Sequence, residues 1–236
     1  EHAKRKGHVI KWKVMENLDK LLPEFEANFQ KKGGKVIWAN DAAEANKEIL
    51  EILKRHQAKS VIKSKSMVTE EIHLNDFLEK NGIESLESDL GEYIVQLLGQ
   101  KPYHIVTPAM HLNKEKIAEL FHRKFGTPLD ATPEQLTLKA RELLRDKYLT
   151  ADAGITGANF LIADSGSIAL TENEGNARLT TTFPKIHIAI VGIEKMIPSF
   201  ADLALFWPML STHGTGQNLT VYNSILSGPK QAHETD

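Results

Sequence analysis

Apolar residues first recur at helical spacing. Val14, Leu18, Leu21, Leu22, Phe25 and Phe29 share one face and predict an amphipathic helix, or two shorter ones, over residues 14–31. Pro23 falls inside this stretch and is expected to break or kink it, and Gly33-Gly34 ends it. The pattern then changes to short apolar runs alternating with helical ones. KVIWA (35–39) reads as a strand, and Asp41 can cap a helix that presents Ala42, Ala45, Ile49, Ile52 and Leu53 on one side. SVIKS (60–64) predicts a second strand, followed by a helix over about 69–80. IESLES (83–88) is a weak strand, LGEYIVQLLG (90–99) a helix and HIVTP (104–108) another strand. Two helices then cover about 113–125, capped by Asn113, and 133–147.

Such strand–helix alternation predicts a parallel sheet with helices on both faces. The later chain differs. NFLIAD (159–164), SIALTE (167–172) and IHIAIVG (186–192) are apolar runs joined by short turns, which favours hairpins or a mixed sheet. A helix over 198–210 contains Pro208, and NLTVYNSIL (218–226) supplies a last strand. The expected fold is therefore α/β, an open sheet with a mixed or hairpin-rich C-terminal half. It divides into a helical arm (1–32), an α/β domain (33–226) and a polar tail (227–236).

Composition narrows the function. At 236 residues the chain can bury a full core. A net charge of -2 gives no general attraction to nucleic acid. The basic KRKGHVIKWK (4–13) reads as a solvated helix face. No apolar run approaches the ~18 residues of a membrane helix, so the chain reads as soluble. Cys is absent, which removes disulfides, thiolate metal sites and a Cys nucleophile from this chain. The ten His residues form no HExxH motif, and His104, His111 and His122 sit in separate local contexts, so no metal site is expected.

In an open α/β sheet, ligands bind beyond the carboxyl ends of the strands. Lys63, Ser64, Lys65 and Ser66 follow one strand and precede a helix start near Thr69, a combination suited to an anion. Solvated lysines on a capped turn explain the same residues. In DAGITGAN (152–159), Gly154 and Gly157 permit close backbone approach while Thr156 and Asn159 offer neutral polar groups. Ser165-Gly166 in DSGS (164–167) suits a tight hairpin turn. ENEGNAR (172–178) adds Glu172, Glu174, Gly175, Asn176 and Arg178, and Thr180, Thr181 and Thr182 follow. Turn chemistry accounts for the glycines; a pocket accounts for the surplus of Ser, Thr, Asn and Arg. Glu194 follows an apolar strand and is, with Glu174, a candidate acid, base or nucleophile. His111 before Asn113 is a weaker candidate base. STHGTGQN (211–218) lacks dinucleotide spacing, and neither a Walker A sequence nor a GxSxG elbow is present.

VIKSKSMVTEEI, DLGEYIVQL, HIVTPAMH and the long DAGITGANFLIADSGSIALTENEGNARLTTTFPKIHIAIVGIEKMIPSF together resemble the LUD-domain family. Within it the likeness is to the iron–sulfur-binding subunits of bacterial lactate-utilisation systems, from about Val14 to Pro229. The resemblance implies a Rossmann-like sheet of the sugar-phosphate isomerase and CoA-transferase group. It implies a cytoplasmic complex, formed with other subunits of that system, that oxidises L-lactate to pyruvate. Two [4Fe–4S] clusters are expected in a Cys-rich region of the full-length protein and none in this chain. The Glu1 start and the Cys-free end at Asp236 lead us to expect an excised domain. The positions matching the shared motifs are Lys63, Ser64, Ser66, Glu70, Asp89, Glu92, Asp152, Thr156, Gly157, Asp164, Ser165, Gly166, Ser167, Glu174, Gly175, Asn176 and Arg178. Three roles remain open: a pocket for a small anionic metabolite, a docking scaffold, and a transferase that uses Glu194 as nucleophile.

Overall fold

A computed structural model describes residues 1–104 and 107–230. The helical arm forms as α1 (His2–Glu16) and α2 (Leu18–Lys31). The break lies at Asn17, whose side chain closes α1 by donating to the Lys13 carbonyl at 2.8 Å. Pro23 stands inside α2 and does not break it. Residues 35–39 form no strand; Ile37 and Trp38 are exposed, and the Trp38 indole donates to Glu26 at 3.0 Å. An apolar run becomes a strand only where a neighbour takes up its backbone groups, and among the described residues none pairs with this one.

Next come α3 (Ala42–Arg55) and β1 (Ser60–Lys63). The helix expected over 69–80 is divided into α4 (Met67–Glu71) and α5 (Leu74–Lys80) by His73, which takes a left-handed φ of 53°. Asn46 of α3 donates to the Ile72 carbonyl at that break, at 2.8 Å. β2 (Glu84–Glu87) and α6 (Leu90–Leu97) follow. Of the expected strand 104–108, Ile105 and Val106 lie outside the described residues. α7 (Lys114–Phe125) is capped by Asn113 as expected and ends at Gly126 with φ 69°. α8 (Pro133–Thr150) begins with a reciprocal Thr132–Gln135 capping box and Pro at its first position.

The remaining elements are β3 (Ala153–Thr156), β4 (Phe160–Ile162), β5 (Ser167–Glu172), α9 (Asn176–Thr182), β6 (Ile186–Ala189), β7 (Met196–Ile197), α10 (Leu203–Gly214) and β8 (Tyr222–Leu226). Pro208 sits inside α10. β3 and α9 go beyond the elements the apolar pattern predicts, because Gly154 and Thr156 interrupt one run and three threonines interrupt the other. β6 does not join a hairpin: it pairs in parallel with β3.

The chain divides into two compact units, each assembled from separate segments. One comprises residues 42–156 and 176–189. Its sheet is wholly parallel in the order β2-β1-β3-β6, with Lys63 opposite Glu87 and Lys63 opposite Ile155. Phe121, Leu120, Ala118 and Ile94 form one core under α6, α7 and α8, and Ile62, Tyr93, Leu144 and Tyr148 form another against the sheet. The other unit comprises residues 1–41, 157–175 and 190–236. Its sheet is mixed, in the order β7-β4-β5-β8, with β4 and β5 an antiparallel hairpin through DSGS. Ile162, Ala169, Ile197 and Leu203 are its core, covered by Phe160, Phe206, Trp207 and Ile225. The chain is thus α/β, with a parallel sheet and a separate mixed one.

Gly154 is required by packing. A Cβ there would stand 2.0 Å from the Thr180 carbonyl oxygen, so α9 rests its backbone directly on β3. Gly154→Ala is expected to lower stability by about 1–3 kcal/mol through overpacking. Gly214→Ala, which meets nothing within 4 Å at the end of α10, should be neutral or slightly stabilising. Urea unfolding of the two variants at neutral pH compares them directly, and equal losses would contradict the packing account.

Candidate functional site at the carboxyl ends of the parallel strands

β1 ends on Lys63 and β2 on Glu87, and the register sets the two opposite each other. The Lys63 side chain is 0 % exposed. A buried ammonium persists only if carboxylates and hydrogen bonds replace its water. Its Nζ lies 2.8 Å from Glu87 Oε1 and 3.2 Å from Glu70 Oε1, and donates to Thr69 Oγ1 at 2.8 Å. The Thr69 hydroxyl in turn donates to the Ser66 carbonyl at 2.7 Å, so its proton is already committed. Burial alone would lower the Lys63 pKa; Glu87, then Glu70 and Glu92, outweigh it and hold it above its ordinary value.

Local sequence explains how these groups meet. Ser66 opens α4, which places Thr69 and Glu70 within its first turn beside the strand end. Ser88 anchors the β2 end, donating from its amide and hydroxyl to the Lys63 carbonyl at 2.8 and 2.9 Å. Asp89 then caps α6 by accepting from the Glu92 amide at 3.1 Å, and its other oxygen pairs with Lys65 at 3.3 Å. The cap turns Glu92 inward. Burial, then the neighbouring Glu87 carboxylate, and then Asp89, push the Glu92 pKa up to about 9, against the pull of Lys63. Glu92 is therefore a neutral acid at physiological pH.

The next strand end adds a second polar pair. Thr156 closes β3, fully buried, with Oγ1 2.8 Å from His187 Nε2 on β6. Burial draws the His187 pKa down to about 4, so the imidazole is neutral above that pH. In the strand order, β2 lies on one side of β1 and β3 on the other, so the β1–β3 boundary is where successive crossovers reverse, the position at which open α/β sheets take ligands.

The LUD-domain family model matches residues 22–236. The chain belongs to the LUD-domain family. Relatives include lactate utilization protein B of Anoxybacillus flavithermus, 47 % identical over 98 % of this chain and 49 % of the relative. That of Bacillus subtilis is 46 % identical over 96 % and 48 %, and that of Geobacillus thermodenitrificans 47 % over 98 % and 50 %. The chain thus spans about half the length of the curated relatives it matches. No solved structure matches it.

In this LUD domain, Lys63, Ser64, Lys65, Ser66 and Thr156 gather at neighbouring strand ends, while Asn176 and Arg178 lie on α9 of the same unit. The hydroxyls of Thr180, Thr181 and Thr182 return to carbonyls of α9 itself, those of Asn176 and Arg178, at 2.7–2.9 Å. Gly157, Asp164, Ser165, Gly166, Ser167, Glu174, Gly175 and Glu194 belong to the mixed-sheet unit. There DSGS receives α2: Asn28 donates to the Ala163 and Asp164 carbonyls and Lys32 to that of Ser165. A Cβ on Gly166 would stand 2.3 Å from the Phe29 amide. Asp164 accepts from the Phe200 amide, and Ser167 pairs with Ser227 at 2.9 Å. Gly175 has φ 82° and packs on the Tyr222 ring; Glu174 is exposed. Glu194 sits on a short turn, 64 % exposed, 3.7 Å from Lys195. Asp152, by contrast, ties the strand starts, accepting from the Lys59 and Ser60 amides at 2.8 and 3.0 Å. Glu87 and His187 go beyond the residues singled out from sequence; the signal for Glu87 was a carboxylate at one strand end matching Lys63 at the next.

Lys63→Met leaves Glu87 buried without its cation and is expected to cost about 3–5 kcal/mol. Adding Glu87→Gln should recover part of that loss, because the stranded charge is gone. Chemical denaturation at pH 7 of the single and double variants tests the pairing, and strictly additive losses would contradict it.

Proposed function

We propose that this LUD domain is part of a lactate-utilisation iron–sulfur protein and works in a cytoplasmic complex that oxidises L-lactate to pyruvate. The observation that carries this reading is the 47 % identity, over 98 % of the chain, to a lactate utilization protein B. The parallel unit would then be a Rossmann-like sheet of the sugar-phosphate isomerase and CoA-transferase group, with its polar centre at the Lys63 strand end. The chain has no Cys, and among the described residues no group of three His, Cys, Asp or Glu is placed to hold a metal, so these residues do not fit an iron–sulfur cluster. The two expected [4Fe–4S] clusters would belong to the rest of the longer protein. Among the described residues no helix is long and apolar enough to cross a membrane.

The ligand expected at the strand end is a small carboxylate. Lys63 has its partners inside the protein, whereas Lys65, paired with Asp89, is 29 % exposed at the same strand end. A charge-assisted contact there is worth about 1.5–3 kcal/mol. A second reading, a scaffold docking the ferredoxin-like region and partner subunits, is favoured by the closure of the cluster, since Lys63, Glu87 and Glu92 are all buried.

Expression of the full-length protein in a bacterium lacking its own lactate-utilisation system protein B separates the two readings. Growth on L-lactate should be restored. Lys65→Met should reduce lactate consumption about tenfold or more while the complex still assembles. Failure of the unaltered protein to restore growth would sink the assignment; an unaffected Lys65→Met strain would favour the scaffold.

A further inference from the structure

The strand-end cluster contains two acceptors that no donor reaches. Glu87 Oε2 and Glu92 Oε2 are both buried, and neither receives a hydrogen bond from any described group. The nearby donors are committed elsewhere. Lys63 Nζ is taken by Glu87 Oε1, Glu70 and Thr69. Asn75 also donates to Glu87 Oε1, and the Gln96 amide donates to the Ser85 carbonyl. Lys65 Nζ pairs with Asp89, and the Glu92 amide is spent on Asp89 Oδ1. Two ionised carboxylates in contact, each with an orphan buried oxygen, would repel one another and lose their hydration without return. A single proton between them removes both penalties, turning one acceptor into a donor.

We propose that Glu87 and Glu92 form a proton-binding site, one carboxylic acid hydrogen-bonded to one carboxylate, occupied at neutral pH and placed at the carboxyl ends of the parallel strands. The proton belongs to the pair rather than to one residue. Lys63 sets its position by pairing with Glu87 Oε1, and Asp89 adds negative charge on the Glu92 side. A buried acid that keeps its proton at neutral pH is the kind of group that delivers one to a substrate oxygen. This inference deepens the same site and holds whether or not the lactate assignment stands.

The groups facing the pair are Lys63 from β1, Glu70 from α4, Asp89 at the α6 cap and, beyond it, Lys65. For an acid raised from 4.5 to about 9, the folded state binds the proton more tightly than the unfolded chain, so stability falls as pH rises across that interval. His187, lowered from 6.5 to about 4, has the opposite sign: stability rises with pH between those values. The window from pH 6.5 to 9 lies above the His187 interval and within that of the carboxyl pair. In it, the unfolding free energy should fall with a slope of about one proton. Glu92→Gln keeps the shape, donates to Glu87 without a titrating proton, and should abolish that slope.

Infrared spectroscopy of the intact domain labelled with carboxyl-13C glutamate supplies a readout that packing does not move. A protonated glutamic acid band is expected at pH 7, lost as pH passes about 9, and absent in Glu92→Gln. Should Glu92→Gln fail to fold, the wild-type band and the wild-type slope still decide. No protonated glutamate band at pH 7, or an equal slope in a folded Glu92→Gln variant, would overturn the site.

Discussion

Everything polar at the parallel strand ends depends on one buried charge, the Lys63 ammonium. An isolated ion of that size in a dry interior is unfavourable by tens of kcal/mol on a simple solvation estimate, roughly. It persists because two elements bring three oxygen-bearing side chains to it: Glu87 from β2, and Thr69 and Glu70 from α4. That requirement fixes the local geometry. β2 must end on Glu87 in register with Lys63, α4 must start at Ser66 so that its first turn faces the ammonium, and Ser88 must hold the two strand ends together through the Lys63 carbonyl. The cost of this arrangement reappears in α6, where Glu92 keeps its proton at neutral pH beside Glu87.

The central glycine- and threonine-rich stretch shows how packing absorbs residues that suggest ligand binding. Gly154 is small because α9 lies on β3 there. The threonine hydroxyls that look surplus in sequence return to the carbonyls of α9, and Gly166 makes room for the backbone of α2. Most of the hydroxyl and glycine density in this segment is thereby explained inside each unit. Thr156 is different, since at the end of β3 its hydroxyl meets a half-buried neutral imidazole.

Elements with local signals were legible in the sequence. Asn113 and helical spacing announce α7 and α8, and the alternation of strands and helices announces the parallel sheet. The errors share one cause, dependence on partners distant in sequence. KVIWA has strand composition but pairs with no strand among the described residues, whereas AGIT has poor composition yet is buried between β1 and β6. His73 breaks a helix that periodicity would run through, because Asn46, far upstream, satisfies the freed carbonyl. The same limit governs the site. Lys63 was visible as a cation at a strand end, but nothing local says that its charge points inward. Glu70, Asp89 and Glu92 stood out only through family likeness, and Glu87 only through register.

Taken with the strand order, these facts give the site a direction. The Lys63–Glu87–Glu92 cluster lies on the β2 side of β1, and Thr156 with His187 lies on its β3 side. On one side of β1 stands an acid that keeps its proton at neutral pH, and on the other, two strands away on β6, an imidazole that lacks one. Two titratable groups driven apart by their surroundings are the physical requirement for moving a proton in either direction at one pH. Burial produces both shifts with opposite signs, upward for the carboxyl and downward for the imidazole, because it disfavours whichever form is charged. The polarity of the strand end therefore follows from the fold itself: closing the sheet over a lysine at one strand and a histidine at another leaves an acid and a base on either side of the crossover reversal.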